Sequence, residues 1–238
     1  IFVTTGASEA IEICLTALLD PGENILLPAP GYPLYSAIMA KLDAPLNCYF
    51  LDESKNWAPD LDDIEARINS RTRGIVVINP NNPTGALYDV ETLRGILEIA
   101  REYNLVVFAD EIYDQLIFDG KTHVAMASLA DDLPMVTFGG LSKNFLVPGW
   151  RVGWGMVSGP HELINEYNEA IQKILRARLC ANHPEQAAIP VALERCQGHL
   201  PGLVAALQAR RDLTASRLNA IEGMSCVTPG GAFYAFPS

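Results

Sequence analysis

The sequence predicts an α/β fold built on a mainly parallel sheet. Short runs rich in β-branched and aromatic residues alternate with longer segments whose apolar residues recur at helical spacing. The short runs lack polar alternation, which is typical of strands covered by helices on both faces. Strand–helix–strand alternation with short turns favours parallel strands joined by right-handed crossovers. We therefore expect a three-layer α/β/α architecture.

The apolar runs give the expected strands in order. The first lies at residues 1–5, and the next follows the turn signal Pro21-Gly22. Strands are expected at residues 1–5, 24–28, 47–51, 74–78, 105–109, 135–138 and, with the weakest pattern, 153–157.

The helical segments lie between these strands and after them. Asp60 and Asp89 are suitable N-caps for two of the helices. Helices are expected at residues 8–19, 61–68, 90–103, 162–178, 184–196 and 203–221, followed by strand-like residues 225–228 and 231–236.

The pattern divides the chain into two units. We expect a large domain over 1–205, with 206–238 forming an interdomain helix and the start of a small α+β domain. The chain opens without Met on a strand-like run and stops just after another. We therefore expect a piece of a longer protein.

Composition excludes several classes of partner. The net charge of -11 argues against nucleic acid and anionic membranes. No apolar run reaches the roughly 18 residues that span a bilayer. The 5 cysteines are dispersed, which is typical of reduced thiols in a cytoplasmic protein. Neither they nor the 4 histidines have metal-ligand spacing, so no metal site is expected.

Candidate functional residues lie where predicted strands end, which is where open α/β sheets bind ligands. The turn at residues 5–10 contains Gly6 and opens a helix, so its backbone N–H groups can bind a phosphate, although ordinary turns also carry glycine. The loop at 79–85 is stiffened by two prolines and can fix Asn82, although Pro/Asn/Gly connectors are common.

Two charged residues follow the next two strands. Asp110 ends the strand at 105–109, where a buried carboxylate needs a cationic or hydrogen-bonding partner, unless it is simply a helix N-cap. Lys143 follows a glycine-rich turn, and Arg151 comes eight residues later. A partly desolvated lysine beside a fixed cation loses its proton more easily and becomes a nucleophile towards aldehydes.

These residues belong to four motifs that follow one another in the chain: Thr5-Gly6-Ala7-Ser8-Glu9-Ala10, Asn82-Pro83-Thr84-Gly85, Asp110-Glu111-Ile112-Tyr113, and Ser142-Lys143 with Arg151. In their order and spacing the sequence resembles the class I and II aminotransferases, which are fold-type-I pyridoxal phosphate enzymes. The resemblance extends to Gly231-Ala232-Phe233-Tyr234. The stretches at 140–143 and 178–182 look most like bacterial alanine aminotransferases.

The resemblance implies roles for individual residues. Lys143 would carry the cofactor covalently and then act as general base, and Asp110 would keep the pyridine nitrogen protonated. Asn82 and Tyr113 would bind the phenolic oxygen, and Tyr32 would stack on the ring. The phosphate would be held by Ala7, Ser8, Ser142 and Arg151. The resemblance also implies a homodimer with active sites at the interface.

Two features leave the function open. Many relatives have serine where this chain has Gly140, which weakens the phosphate assignment around Ser142. The substrate-binding arginine of the family lies in a C-terminal part that this chain does not reach. Arg176 and Arg178 fall near the stretch from which dicarboxylate-specific members supply a further arginine, but the correspondence is too loose to decide.

The leading hypothesis is transfer of an amino group between an L-amino acid, such as alanine or glutamate, and a 2-oxo acid. A carbon–sulfur lyase or a synthase on the same scaffold is the alternative, because it shares the cofactor residues. A third hypothesis is the aminotransferase-like sensor of a transcription regulator.

Overall fold

The computed structural model describes all residues from 1 to 238. The strands are β1 (Phe2–Thr5), β2 (Asn24–Ala29), β3 (Asn47–Asp52), β4 (Ala58–Pro59), β5 (Thr72–Ile78), β6 (Val106–Asp110), β7 (Met135–Gly140) and β8 (Val152–Ser158). The helices are α1 (Ala7–Leu18), α2 (Pro33–Lys41), α3 (Leu61–Ala66), α4 (Val90–Glu102), α5 (His161–Ala177), α6 (His183–Gln186), α7 (Ala188–Arg195) and α8 (Leu200–Asn219).

The strands form one sheet in the order β1-β8-β7-β6-β5-β2-β3-β4. The five central strands β7, β6, β5, β2 and β3 are parallel to their neighbours within that group. β8 runs antiparallel to both β7 and β1, and the short β4 runs antiparallel to β3. The predicted mainly parallel α/β fold is confirmed.

Each central strand contributes side chains to two cores, one on each face of the sheet. In β5, Ile75 and Val77 pack with residues of α3 and α4, whereas Val76 and Ile78 pack with residues of α1, α2 and α5. Neighbouring side chains of a strand point to opposite faces, so a continuous apolar run fills both cores. This explains why the predicted strands lack polar alternation.

Capping residues fix the start of two helices. The Asp60 carboxylate accepts hydrogen bonds from the N–H groups of Asp62 and Asp63 at the start of α3. The Asp89 carboxylate accepts one from Thr92 N–H, 2.8 Å away, at the start of α4. Both caps satisfy N–H groups that a first helical turn leaves without partners.

The structure departs from the predicted helices in three places. α2 has no predicted counterpart, because its nine residues are too few to show a clear apolar period. The helix expected at 184–196 is divided at Ala187 into α6 and α7. α8 begins at Leu200, ahead of the expected residue 203, with Pro201 in its first turn.

The strands expected at 225–228 and 231–236 are not formed, so that prediction is wrong. Ser225 and Ser238 exchange two backbone hydrogen bonds, of 3.0 and 2.9 Å, but no ladder continues from them. The apolar side chains of this segment pack on the rest of the chain instead, as Phe236 does against Trp57, with ring centres 5.4 Å apart. The division of the chain into two domains at residue 205 stays a prediction.

No helix combines the length and the apolar composition that a membrane-spanning segment needs.

Candidate active site

One cavity of about 190 Å³ lies at the carboxyl ends of the parallel strands. This is the edge at which an open α/β sheet binds ligands. All the residues that the sequence singled out for cofactor binding line this cavity: Ala7, Ser8, Tyr32, Asn82, Asp110, Tyr113, Ser142, Lys143 and Arg151. The structure therefore brings together residues from distant parts of the chain, since Ala7 and Arg151 are 144 positions apart.

The turn between β1 and α1 forms one end of the cavity. α1 begins at Ala7 without a side-chain cap, so the N–H groups of Ala7 and Ser8 have no partner within the helix. A Cβ atom at Gly153 of β8 would lie 2.1 Å from the Ala7 nitrogen, so only glycine allows the strand and the turn to approach this closely. The result is a backbone surface at a helix N-terminus, which attracts anions.

Arg151 lies against the same turn. Its guanidinium donates to Pro148 O at 3.0 Å and to Thr5 O at 3.5 Å. A Cβ atom at Gly6, whose φ is +80°, would lie 2.2 Å from Arg151 Nη2. No carboxylate forms a salt bridge with Arg151. An unpaired cation and free helix N–H groups therefore face the same end of the cavity.

Asp110 is a buried carboxylate at the end of β6, with 4% of its surface exposed. It accepts a hydrogen bond from the Tyr35 hydroxyl at 3.1 Å and a long one from Ile112 N–H at 3.4 Å. Burial raises the pKa of Asp110 to about 6, while these hydrogen bonds and the charge of Lys143 oppose the rise. A cationic N–H group entering the cavity would restore the ionised carboxylate.

Lys143 follows β7 and is half-buried in the cavity, with no carboxylate in salt-bridge contact. Desolvation lowers the pKa of its amine, and the nearby Arg151 lowers it further, while Asp110 acts in the opposite direction. Its Nζ lies 5.6 Å from the ring centre of Tyr113 and 5.5 Å from that of Phe233. These surroundings favour the neutral, nucleophilic amine.

Polar and aromatic groups complete the cavity wall. The side chains of Asn82 and Ser142 form no hydrogen bonds within the chain, so both are free to bind a ligand. Tyr32 precedes α2 and meets Tyr35 edge-on, with ring centres 6.4 Å apart. Tyr113 is 2% exposed, and its hydroxyl lies 2.5 Å from that of Tyr234.

Comparison with known proteins identifies the family. Residues 1–238 match the aminotransferases of class I and II over the whole chain. The chain belongs to the class I and II aminotransferases. This family consists of pyridoxal phosphate-dependent enzymes. The predicted likeness of this chain to bacterial alanine aminotransferases is also confirmed.

The chain is 46% identical to the glutamate-pyruvate aminotransferase AlaA of Escherichia coli, covering 100% of this chain and 59% of that protein. It is 44% identical to the alanine aminotransferase of Mycobacterium tuberculosis, covering 100% of this chain and 56% of that protein. The structure superposes on an alanine aminotransferase from Pyrococcus furiosus with a TM-score of 0.96 at 43% identity, covering 99% of this chain and 60% of that one. The chain thus spans less than two thirds of the length of these aminotransferases.

Two tyrosines of the site were missed by the sequence prediction. Tyr35 supports Asp110 from α2, the helix that was not predicted. Tyr234 lines the cavity from the segment that was predicted to be a strand. The likeness of 231–234 to other aminotransferases was the one available signal for Tyr234. Tyr35 could have been found only by predicting a helix after Tyr32, because a three-residue spacing then places the two side chains on the same side of it.

The two arginines left open by the sequence do not line the cavity of their own chain. Arg178 donates to Val3 O at 2.7 Å and pairs with Glu9 at 3.0 Å, which ties the end of α5 to β1 and α1. Arg176 is exposed in the last turn of α5.

Proposed function

We propose that the full-length protein is a pyridoxal phosphate-dependent aminotransferase that moves an amino group between an L-amino acid and a 2-oxo acid. The observation that carries the proposal is the convergence of Lys143, Asp110 and Arg151 on one cavity, none of them in a salt bridge. Charged groups are seldom left unpaired and partly desolvated in a protein, except where a ligand pairs with them.

The cavity's donor groups fit the two ends of this cofactor. At one end, Arg151, Ser142 and the N-terminus of α1 with Ala7 and Ser8 offer the cation and N–H donors that a phosphate requires. At the other end, Asp110 offers a carboxylate whose ionised form a pyridinium N–H would stabilise.

The middle of the cavity fits an aromatic ring bearing an oxygen. Tyr32 offers its ring face for stacking. The Asn82 amide and the Tyr113 hydroxyl offer hydrogen-bond donors for the phenolic oxygen. These residues follow the ends of β2, β5 and β6, so the sheet positions them around the ring.

Lys143 would perform the proton transfer. When bound, pyridoxal phosphate supplies an electron-withdrawing ring that makes a substrate Cα–H acidic. Lys143 Nζ, held partly desolvated among Tyr113, Phe233 and Arg151, would take the proton from the substrate Cα as general base and later give it up again as general acid. The Asp110 carboxylate would hold a proton on the pyridine nitrogen.

The proposed amino acids are alanine and glutamate, with pyruvate and 2-oxoglutarate as the oxo acids. Support comes from the relatives, since the E. coli protein is a glutamate-pyruvate aminotransferase and the M. tuberculosis protein an alanine aminotransferase. The chain's five cysteines are all free, which supports the reducing, cytoplasmic location that we propose.

We further propose a homodimer. An apolar groove of about 410 Å³ lies on the surface beside the Lys143 loop, lined among others by Leu141, Trp150 and Val191. Trp150 and Val191 are each 49% exposed. Exposed apolar surface of this kind is typical of protein–protein contacts. Light scattering of the full-length protein should give twice the mass of one chain.

Absorbance tests the proposal. Full-length protein incubated with pyridoxal phosphate should develop a visible band. Borohydride should reduce the carbon–nitrogen double bond to a stable secondary amine, which abolishes the band and leaves the cofactor attached to Lys143. Lys143→Ala should lose this band and lower amino transfer by at least about a thousandfold. Lys173→Ala, which changes an exposed lysine on α5, should keep both.

The same preparation separates the alternative functions. Alanine with 2-oxoglutarate should yield glutamate and pyruvate in equal amounts. Pyruvate release from cystathionine without amino transfer would instead support the carbon–sulfur lyase, and uptake of pyridoxal phosphate without turnover would support the sensor. A protein that takes up no pyridoxal phosphate would contradict the whole proposal.

A further inference from the structure

Tyr234 meets Tyr113 through their hydroxyl groups at the wall of the cavity. The two oxygens lie 2.5 Å apart, and the rings are nearly perpendicular, at 82°, with centres 5.6 Å apart. Neither hydroxyl has another hydrogen-bond partner in the chain. Tyr234 itself lines the cavity, yet no role was assigned to it from the sequence.

The backbone around Tyr234 is firmly held. Ala232 N–H donates to Leu116 O at 2.8 Å, and the N–H groups of Gly230 and Gly231 both donate to Gly85 O, at 2.9 and 3.0 Å. A Cβ atom at Gly231 would lie 2.7 Å from Pro80 Cγ. The segment is therefore packed directly against the loop that carries Asn82. The position of the Tyr234 hydroxyl is set by this packing, so its contact with Tyr113 is a built feature of the cavity.

The number of protons limits how the two hydroxyls can bond. Each tyrosine hydroxyl has one hydrogen to donate, although it can also accept. If Tyr113 donates to the phenolic oxygen of the cofactor, it has no hydrogen left for Tyr234. The contact between the tyrosines then persists only if Tyr234 is the donor and Tyr113 the acceptor.

We propose that Tyr234 is a positioning residue that donates its hydroxyl hydrogen to Tyr113 and so directs and strengthens the hydrogen bond from Tyr113 to the cofactor. The inference rests on the proposed function. Hydrogen bonds in a chain polarise one another, because a hydroxyl that accepts a hydrogen bond becomes a better donor. The chain of donors runs from Tyr234 to Tyr113 to the phenolic oxygen, in a site where Tyr113 is shielded from water.

Burial keeps both hydroxyls available as donors. Burial raises the pKa of Tyr113. Burial also raises the pKa of Tyr234. Both hydroxyls thus stay protonated at neutral pH and remain available as donors. The Lys143 amine lies 5.6 Å from the Tyr113 ring centre, so a change in this hydrogen-bond chain acts directly beside the reactive nitrogen.

The consequence is a shift in the proton affinity of the nitrogen that joins Lys143 to the cofactor. A donor to the phenolic oxygen stabilises negative charge there. The oxygen needs that stabilisation most when the neighbouring nitrogen has lost its proton and no longer offsets the charge. Weakening the donor therefore disfavours proton loss and raises the pKa of that nitrogen, which a pH titration of the visible band measures.

The test is a double-mutant cycle on the full-length protein loaded with pyridoxal phosphate. Tyr234→Phe should raise the pH midpoint of the visible band by about half a unit, roughly a threefold change in the equilibrium constant. Tyr113→Phe should raise it by more, about one unit. In the Tyr113→Phe background, Tyr234→Phe should cause no further shift, because the residue through which it acts is gone. Tyr103→Phe, which removes a hydroxyl bonded to Glu65 away from the cavity, should leave the midpoint unchanged.

A second variant keeps the inference testable if Tyr234→Phe folds poorly. Replacing Tyr234 by 3-fluorotyrosine keeps its shape and makes its hydroxyl a stronger donor, so the midpoint should fall instead of rise. An unchanged midpoint in both variants would overturn the inference. So would a shift from Tyr234→Phe that persists in the Tyr113→Phe background, since it would mean that Tyr234 acts on the cofactor without Tyr113. Failure of the proposed function is seen separately, as the absence of any visible band in the unmodified protein.

Discussion

The Tyr35 hydroxyl donates a hydrogen bond to the Asp110 carboxylate across 3.1 Å, with both residues buried. α2 starts at Pro33, directly after Tyr32, so the first helical turn places Tyr32 in the cavity and Tyr35 beneath it. One turn of helix thus provides both a ring for stacking and a donor that holds the carboxylate in place. Such support from behind fixes the orientation of a group that contacts the ligand.

Removing this donor should weaken cofactor binding. Tyr35→Phe deletes a hydrogen bond that opposes the burial-driven rise in the pKa of Asp110, so the carboxylate becomes harder to ionise. We expect the affinity for pyridoxal phosphate at neutral pH to fall about threefold to tenfold. Equilibrium titration by absorbance measures it.

Tyr167→Phe is the matched control. Tyr167 also donates its hydroxyl to a buried group, Cys14 O at 2.9 Å, but it does not line the cavity. It should lower stability as Tyr35→Phe does, by about 1 kcal/mol, without a change in cofactor affinity. Equal affinities in the two variants would show that the Tyr35 contact does not tune Asp110.

Glu111, next to Asp110, should make the stability depend on pH. It is buried, and burial raises its pKa to about 7, against an opposing hydrogen bond from Met126 N–H at 2.8 Å. The folded state therefore binds the Glu111 proton more tightly than the unfolded state does. The contribution of this group to stability is present below about pH 4 and is lost as pH rises to about 7.

Glu111→Gln isolates that contribution, because glutamine can still accept from Met126 N–H but does not titrate. The difference in free energy of unfolding, variant minus parent, should increase by about 2–3 kcal/mol between pH 4.5 and 7.5. Urea unfolding at several pH values measures it. Glu166→Gln, at an exposed position of α5, should give a difference that is independent of pH. A flat difference for Glu111→Gln would contradict a raised pKa.

The sequence predicted the sheet well because its central strands are buried on both faces. The apolar runs around Ile75–Ile78 and Val107–Ala109 occur where the strands fill two cores, one on each face of the sheet. Such short, continuous apolar runs are typical of buried parallel strands. The helix starts marked by Asp60 and Asp89 were predicted closely for a different reason, because a cap is a local interaction between residues close in the sequence.

Features that depend on distant contacts were not predictable. The segment 225–236 is apolar and β-prone, but its conformation is set by packing on Trp57 and Tyr113 rather than by a partner strand. The Tyr35–Asp110 bond joins residues 75 apart in the chain. Motif likeness found the cavity residues that lie at strand ends, whereas the residues that support them from behind required the three-dimensional structure.

The close approach of β8 to the start of α1 predicts a strict requirement for glycine at 153. Gly153→Ala would place a Cβ atom 2.1 Å from Ala7 N and 2.4 Å from Gly6 C, so the phosphate end of the cavity must shift. We expect a loss of about 2–4 kcal/mol in stability and at least tenfold weaker cofactor binding. Gly149→Ala is the control, because nothing lies within 4 Å of a Cβ atom there. Thermal unfolding and cofactor titration distinguish the two, and equal behaviour would contradict the close approach.

Arg211 of α8 should control how firmly the segment carrying Tyr234 is held. Its buried guanidinium pairs with Asp119 at 2.7 Å and donates to Pro229 O at 2.9 Å. Arg211→Met removes these two contacts and the pairing with Asp212. The two carboxylates that it pairs with, Asp119 and Asp212, are partly exposed and regain water, so the cost should be about 1–3 kcal/mol rather than that of a stranded buried charge.

The loss of stability in Arg211→Met should be confined to the region around Asp119 and Pro229, because the other contacts of α8 do not involve the Arg211 side chain. Protease cleavage within 225–236 should become several times faster in Arg211→Met, as the segment opens more often. Arg210→Met, which changes the exposed neighbouring arginine, should be cleaved at the parent rate. If Arg211→Met resists cleavage as the parent does, then the aromatic packing of Phe233 and Tyr234 on Tyr113 is sufficient to hold the segment, and Arg211 stabilises only the turn at Asp119.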